Sequence, residues 1–300
     1  MDLTLFIYTE TSLHAGTGAT VSVVDLPIQR ERTTQYPLVQ GSGVKGALRQ
    51  TITHQLGEER KHEVEMVFGP DTNNGDDHAG AVSIGDARIV LFPVRSLMGV
   101  FAYITCPYVL ARISRDVPNF PALSRKPSES QALVTKTTHV ADSKQNGKVV
   151  LEEFSFDALD DSDVTSIANW FVNHALPNTP IYQYWRDNLP SKLVILPDNA
   201  FTDFVINSTE ITTRVKIEPA KKTVKKGALW TQESLPADTL LMSKIVIYKS
   251  RNSVEVLPQQ IADWLRDTNN LPERIQIGGD ETTGQGFVAL NIYPKVEAQS

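Results

Sequence analysis

The sequence predicts an α+β protein with a mainly antiparallel sheet. Two observations lead there: strand-helix-strand patterning occurs twice along the chain, and extended runs that read as hairpins are inserted between those units. No internal repeat or coiled-coil heptad is present.

The elements follow in order. "LTLFIYTET" alternates like a strand, and "ATVSVVDLP" is a second extended run ending in a loop at Asp25-Leu26-Pro27. Ser42 is expected to cap a helix whose inward face is Val44, Ala47, Leu48, Ile52 and Leu56, with Gly57 closing it. A short charged helix over about 58–67 stops at the turn-rich "FGPDTNNGDDHAG". "AVSIGDARIVLFPV" and "GVFAYITC" read as strands, and "PYVLARISRD" as a helix with proline in its first turn.

Residues 118–147 are rich in Pro, Ser, Lys and Thr and are expected to form a long surface insertion. "KVVLEEFSF" reads as a strand, "SDVTSIANWFVNHA" as an amphipathic helix and "KLVILP" as a strand. "DFVINSTEITTRVKIEP" and "GALWTQESLPADTLLMSKIVIYK" are long extended runs joined by the basic "AKKTVKKG". Their middles are too polar to be buried, which predicts a protruding hairpin over about 205–240. A last helix over about 258–268 precedes strand, glycine-rich loop and strand in "RIQIGGDETTGQGFVALNIY".

The formal net charge of -6 argues against a protein that coats nucleic acid indiscriminately. The charge is unevenly spread. Arg214, Lys216, Lys221, Lys222, Lys225 and Lys226 face a single acid, Glu218, whereas residues 152–163 carry acids and no cation. An acidic whole with one basic arm points to ordered contact with a polyanion through one surface, the other faces meeting protein. The longest apolar run, residues 94–111, is broken by Arg95, Thr105 and Pro107, short of the roughly 20 residues of a spanning helix. The amino terminus lacks the basic, then apolar, pattern of a secretory signal, so the expected location is cytoplasmic. Cys106 stands alone, which excludes an internal disulfide or a cysteine zinc site and is read as a small buried hydrophobe.

Gly41-x-Gly43-x-x-Gly46 opens the first helix but is not a dinucleotide fingerprint: "TTQYPL" is a poor buried strand, and Glu63 and Glu65 lie in the charged helix. Glycines at a helix amino terminus, with Lys45 and Arg49 one turn apart, form either a phosphate site or a structural turn. Gly279-x-x-x-x-Gly284 has Walker spacing, but Gln285 stands in place of the lysine, leaving either a turn or an RNA-approach loop in which Asp280 and Glu281 must point away. "DTNNGDDH" fails the EF-hand pattern, and the histidines form no HExxH. Asp25, followed by Pro27, Arg30 and Arg32, is either a turn residue or a working carboxylate. His14 is either a turn cap or an acid-base group.

Taken together, "LHAGTG", "VDLPIQRE", "PLVQGSGVKGALR", "TTRVKIEPAKKTVKKGALWTQESLPADT" and "IGGDETTGQGF" resemble the RAMP superfamily of CRISPR proteins, in particular the Cas-seven group of backbone subunits in type III-B (Cmr) effector complexes. The resemblance implies a single domain over 1–300 with a modified ferredoxin-like, RRM-like core, a hairpin called the thumb and a glycine-rich loop. It implies guide RNA, target RNA, further copies of the chain and other Cmr subunits as partners, and no membrane. By this resemblance Asp25 is the aspartate needed for cutting target RNA, and Lys45 and Arg49 contact the guide, with Gly43, Arg214, Lys216, Gly284 and Gly286 as further RNA contacts. A weakly bound divalent metal, Mg2+ or another, is implied as cofactor, with Asp25 as ligand or base; His14 and Glu233 are candidate helpers. Cleavage by the RNA's own 2'-hydroxyl needs in-line geometry, proton transfer and charge stabilisation, which these groups suit. The aromatic RRM stacking motif is absent, so RNA is expected to be held by its backbone. The competing expectations are a non-catalytic scaffold, a nuclease maturing guide precursors with His14 as base and, remotely, a nicotinamide-dependent dehydrogenase.

Overall fold

The computed structural model describes residues 1–18, 23–70, 78–142, 147–218, 221–252 and 254–294, the side chains of residues 223–227 excepted. The first part holds β1 (Asp2–Thr9), β2 (Leu38–Val39), α1 (Gly41–Leu56), α2 (Lys61–Phe68), β3 (Val82–Ile84), β4 (Ala87–Arg95), β5 (Phe101–Thr105) and α3 (Pro107–Asp116). The middle holds β6 (Gln131–Val134), β7 (Ala141–Asp142), β8 (Lys148–Leu151), β9 (Phe154–Asp160), α4 (Ser162–His174), α5 (Gln183–Lys192), β10 (Leu193–Ile195) and α6 (Asp198–Asn207). Then come β11 (Glu210–Glu218), β12 (Thr223–Ser234), β13 (Leu240–Ile247), α7 (Pro258–Arg266), β14 (Arg274–Gln276) and β15 (Phe287–Tyr293).

β1 is apolar along nearly its whole length because it is covered on both faces and paired on both edges, to β13 and to β15, antiparallel in each case. β13 in turn pairs antiparallel with β4. The order β15-β1-β13-β4, with α1 between β1 and β4 and α7 between β13 and β15 in the chain, is that of a ferredoxin-like βαββαβ unit. Phe6, Leu5 and Ile7 at its centre are fully buried, each worth about 1.5–3 kcal/mol of transfer free energy. β4 is long enough to continue into a second set of strands, β5-β10-β6-β9-β8-β7, so one sheet spans both halves among the described residues.

α1 buries Val44, Leu48 and Ile52 at i, i+4 and i+8, with Ala47 and Leu56 packed beside them, which is the predicted face. Its start differs from expectation. The helix begins at Gly41, Gln40 gives no side-chain cap, and Ser42 lies inside the first turn. The Gly41 amide instead donates to Asp86 Oδ1 (2.8 Å), and a Cβ on Gly41 would lie 2.4 Å from the Ile84 carbonyl oxygen. Close packing on the β3–β4 turn, rather than a serine, fixes this end.

Four other expectations are corrected. Residues 118–147 are not all surface: β6 lies inside the sheet between β10 and β9, and Ala132, Leu133 and Val134 are buried. The run from Asp203 is helical up to Asn207, because Phe201, Phe204 and Val205 bury one helical face of α6. "KVVLEEFSF" is two strands, turned at Glu152 in a left-handed conformation (φ 48°). The second extended run is not a strand where described: Leu26 and Ile28 make isolated bridges, and residues 19–22 lie outside the described residues, as do 71–77 of the turn-rich loop.

β11 and β12 form a separate two-stranded hairpin whose first strand is largely exposed. Residues 219–220 of its basic tip lie outside the described residues. No described helix is long and apolar enough to cross a membrane.

Candidate nucleic-acid interface at the hairpin root

The loop carrying Asp25 is held along β12 by backbone pairing. Leu26 donates to the Thr231 carbonyl (3.0 Å), and Glu233 donates to the Leu26 carbonyl (2.9 Å). On the other side Leu13 and Leu235 exchange both backbone bonds (2.9 and 2.8 Å). The segments bearing His14 and Asp25 therefore both dock on the last residues of β12, at the root of the hairpin.

Asp25 is exposed, yet its carboxylate is oriented. Oδ2 accepts from the Thr231 amide (2.8 Å) and the Thr231 hydroxyl (2.9 Å), while the Asp25 amide donates back to that hydroxyl (3.0 Å). The backbone bond first, and the hydroxyl bond second, hold the carboxyl below its ordinary value, so it is ionised at neutral pH. Oδ1 has no partner among the described residues.

His14 is half-buried, and its Nδ1–H donates to the Glu233 carbonyl (2.6 Å). A carbonyl can only accept, so Nδ1 carries the proton and Nε2 presents a lone pair in the neutral ring. A Cβ on Gly16 would lie 2.6 Å from that Nε2; glycine leaves the working edge open. Thr231 and Glu233 are two residues apart on one strand, roughly 7 Å, which sets the scale between the anchors of Asp25 and His14.

Glu233 is buried and its carboxylate is fully used. Oε1 accepts from Arg30 Nη2 (2.5 Å) and Thr209 Oγ1 (2.8 Å), and Oε2 from the Ile28 amide (3.0 Å). Arg30 also donates to the carbonyls of Gln35 (2.8 Å) and Val205 (3.0 Å). Expected as a helper in proton transfer, Glu233 instead has the geometry of a brace tying hairpin, Asp25 loop and α6 together.

The predicted phosphate contacts fall on α1 and the glycine-rich loop. Lys45 Nζ reaches the Val82 carbonyl (3.4 Å), and desolvation, then the nearby Arg49, lowers its pKa. Arg49 Nη1 donates to the Pro70 carbonyl (3.1 Å). A Cβ on Gly46 would meet nothing within 4 Å, and one on Gly43 only Val39 Cγ1 at 3.6 Å, so the helix backbone is approachable there.

In the loop, Gly286 (φ 75°) is a packing residue, since a Cβ would sit 2.0 Å from the Ile277 carbonyl oxygen. Gly284 (φ 83°) faces open space and is the approachable one. Of the two acids expected to point away, Glu281 does not, being exposed on the wall facing α1, whereas Asp280 is committed to the hairpin. It pairs with Arg214 (3.3 Å) and accepts from Gln232 Nε2 (2.5 Å), joining the loop to the hairpin. Lys216, on β11, is exposed.

No group of three or more His, Cys, Asp and Glu among the described residues could hold a metal ion. A cation at Asp25 would have one protein oxygen, Oδ1, and would take its other ligands from RNA and water.

The sequence model of the RAMP superfamily matches residues 6–289. The chain belongs to the RAMP superfamily. This RAMP protein is 34% identical over 290 residues to the CRISPR system Cmr endoribonuclease Cmr4 of Pyrococcus furiosus, covering 95% of this chain and 94% of that one. It is similar to the crystal structure of oligomeric Cmr4 from Pyrococcus furiosus, at 30% identity and TM-score 0.71 over 97% of each chain. A chain of the type III-B Cmr-beta complex bound to cognate target RNA shares the fold at 20% identity and TM-score 0.72, over 97% of each chain.

Sequence reading missed two residues of this RAMP site. Thr231, which orients Asp25, lies 206 positions away, and only the pairing of the two segments brings it close. Arg30 was legible as a cation near Asp25 but not as the partner of Glu233. Charge spacing identifies the ion; only the fold identifies the counter-ion.

Proposed function

We propose that this chain is a backbone subunit of a type III-B CRISPR effector, acting in the cytoplasm, that lies along guide RNA in several copies and cuts complementary target RNA. The observation that carries the reading is Asp25: an ionised, exposed carboxylate oriented on the root of the hairpin, in a chain 34% identical to a Cmr endoribonuclease.

The RNA supplies the nucleophile. Its 2'-oxygen gives up a proton and attacks the adjacent phosphorus, the bond to the 5'-oxygen breaks as that oxygen takes a proton from water or from the protonated His14 ring, and a cyclic phosphate and a free 5'-hydroxyl result. Asp25 Oδ1 would take the 2'-hydroxyl proton or hold a divalent cation. That cation would stabilise charge on the phosphorane. His14, with Nδ1–H committed to the Glu233 carbonyl, offers Nε2 for proton transfer. Glu233 and Arg30 hold the loop so that these groups stay in register with the hairpin. Lys45, Arg49 and the open backbone at Gly43 and Gly46 suit guide phosphates, and Gly284, Arg214 and Lys216 extend that surface. The lone metal oxygen supports a weak site completed by substrate. Similarity to a protein crystallised as oligomeric Cmr4 supports stacking of copies.

The test is reconstitution of the complex on a guide RNA, with labelled complementary and non-complementary RNA and Mg2+. Cuts at regular intervals, confined to the complementary RNA and lost on chelation, are expected. Cutting that ignores the guide, or no cutting despite target binding, would contradict the reading.

A further inference from the structure

The cleft between α1 and the β14–β15 segment takes no part in the cleavage step. It encloses about 940 Å3, at the upper end of the ~300–1,000 Å3 of small-molecule sites. Its walls include Gly43, Gln50 and His54 from α1 and Gln276, Glu281 and Phe287 opposite.

Three features of these walls have a common reading. Phe287 is 41% exposed, whereas the core aromatics Phe6, Phe92, Phe171 and Phe201 are fully buried. Its backbone is fixed: its amide donates to Thr11 Oγ1 (3.0 Å), and its carbonyl accepts from Glu10 (2.9 Å) and Thr11 (3.3 Å). An open aromatic ring on a rigid strand is a stacking platform. Gln50 and His54 are four residues apart on α1, so they lie one above the other, and both are exposed with no side-chain hydrogen bond among the described residues. They offer donors and acceptors at the height of a flat ligand's edge.

Gln50 and His54 also line a second groove, of about 610 Å3, on the other flank of α1, with Gly46 and Arg49. α1 is thus a ridge with a cation on one side and an aromatic cleft on the other, and at Gly46 no Cβ obstructs passage across it. Each flank carries an acid and a cation, Glu281 and Arg274 in the cleft and Glu58 and Arg49 on the other side. Arg274 is paired with Glu10 (2.6 Å), which leaves Glu281 to repel phosphate from the cleft. The cleft thus suits the base of a nucleotide and the Arg49 flank its phosphate.

We propose that this cleft is a nucleobase pocket, taking one unpaired base of single-stranded RNA stacked on Phe287 and bonded at its edge by Gln50 and His54, with a flanking phosphate on Arg49. The proposal rests on the RNA-binding reading above and sharpens it: the missing RRM aromatics are replaced by one from β15.

The full chain is titrated with single-stranded RNA carrying 2-aminopurine at successive positions. One or more positions are expected to show quenched fluorescence on binding. In Phe287→Ala and in Phe287→Leu, which keeps apolar volume without a π-face, the quench disappears and affinity falls about tenfold. Arg49→Ala weakens binding but keeps the quench at saturation. Unchanged quench and affinity in a Phe287→Ala protein that melts like the wild type would overturn the pocket while leaving RNA binding intact. RNA that binds the wild type with no quenched position would do the same and leave the cleft to a protein partner. Wild type that binds no single-stranded RNA would overturn the RNA-binding reading and the pocket with it.

Discussion

A carboxylate on a protein surface is normally free to turn, but Asp25 is held by two bonds from Thr231, one from the backbone and one from the hydroxyl. Both favour the charged form, so its folded pKa lies below the ordinary value. The sign follows: charge, and the tie it makes, are complete above the unfolded value and are lost only as pH falls through the lower folded value. An acid limb of cleavage due to Asp25 therefore lies below the usual carboxylate range. Thr231→Val removes the hydroxyl but keeps the amide, so it should move that limb upward part of the way and slow cutting, with Thr231→Ser restoring both. A pH-rate profile of the assembled complex checks this; an unmoved limb would show that Thr231 does not tune Asp25.

At the scale of elements, the hairpin is attached to the core by few but buried polar ties, of which Arg30–Glu233 is the deepest, with side chains 16% and 7% exposed. Removing one partner strands the other. Glu233→Ala should cost about 3 kcal/mol of unfolding free energy, read by urea titration, whereas a residue serving only proton transfer would leave stability unchanged. The elements also show where sequence is informative. β1, α1, α3, α4 and α7 were legible because each carries a periodic apolar pattern over a full element. β6 was not, since four residues amid Pro, Ser and Lys are too few to display a period, and its burial comes from neighbours on both edges. α6 was masked by the extended pattern of "DFVIN", which suits either element until Phe201 and Phe204 pack. α5, with Pro190 inside it, carried no helix signal at all. At the site, Asp25, His14 and Glu233 were legible as a set, and the structure brings them to one hairpin root. The division of labour among them was not, because it depends on which hydrogen bonds each has already spent.

Across the whole molecule, a net charge of -6 is compatible with RNA binding because the proposed contacts are confined to α1, the glycine-rich loop and the hairpin rather than spread over the surface. The glycine-rich loop and the hairpin are linked through Asp280, which pairs with Arg214 and accepts from Gln232, and α1 faces the same loop across the cleft. Guide binding on α1, the hairpin and target cutting at its root would then occupy adjoining parts of one surface, the arrangement needed if a stacked copy is to cut once per subunit. The most direct test is target cleavage by the complex assembled on guide RNA with Mg2+, comparing wild type with Asp25→Asn at matched target binding. Asn keeps the shape and can still accept from Thr231, but it carries no charge. Loss of cutting by about 10²–10⁴-fold with target binding unchanged is the predicted result. Cuts of undiminished rate at the same positions would contradict the account and leave Asp25 a turn residue.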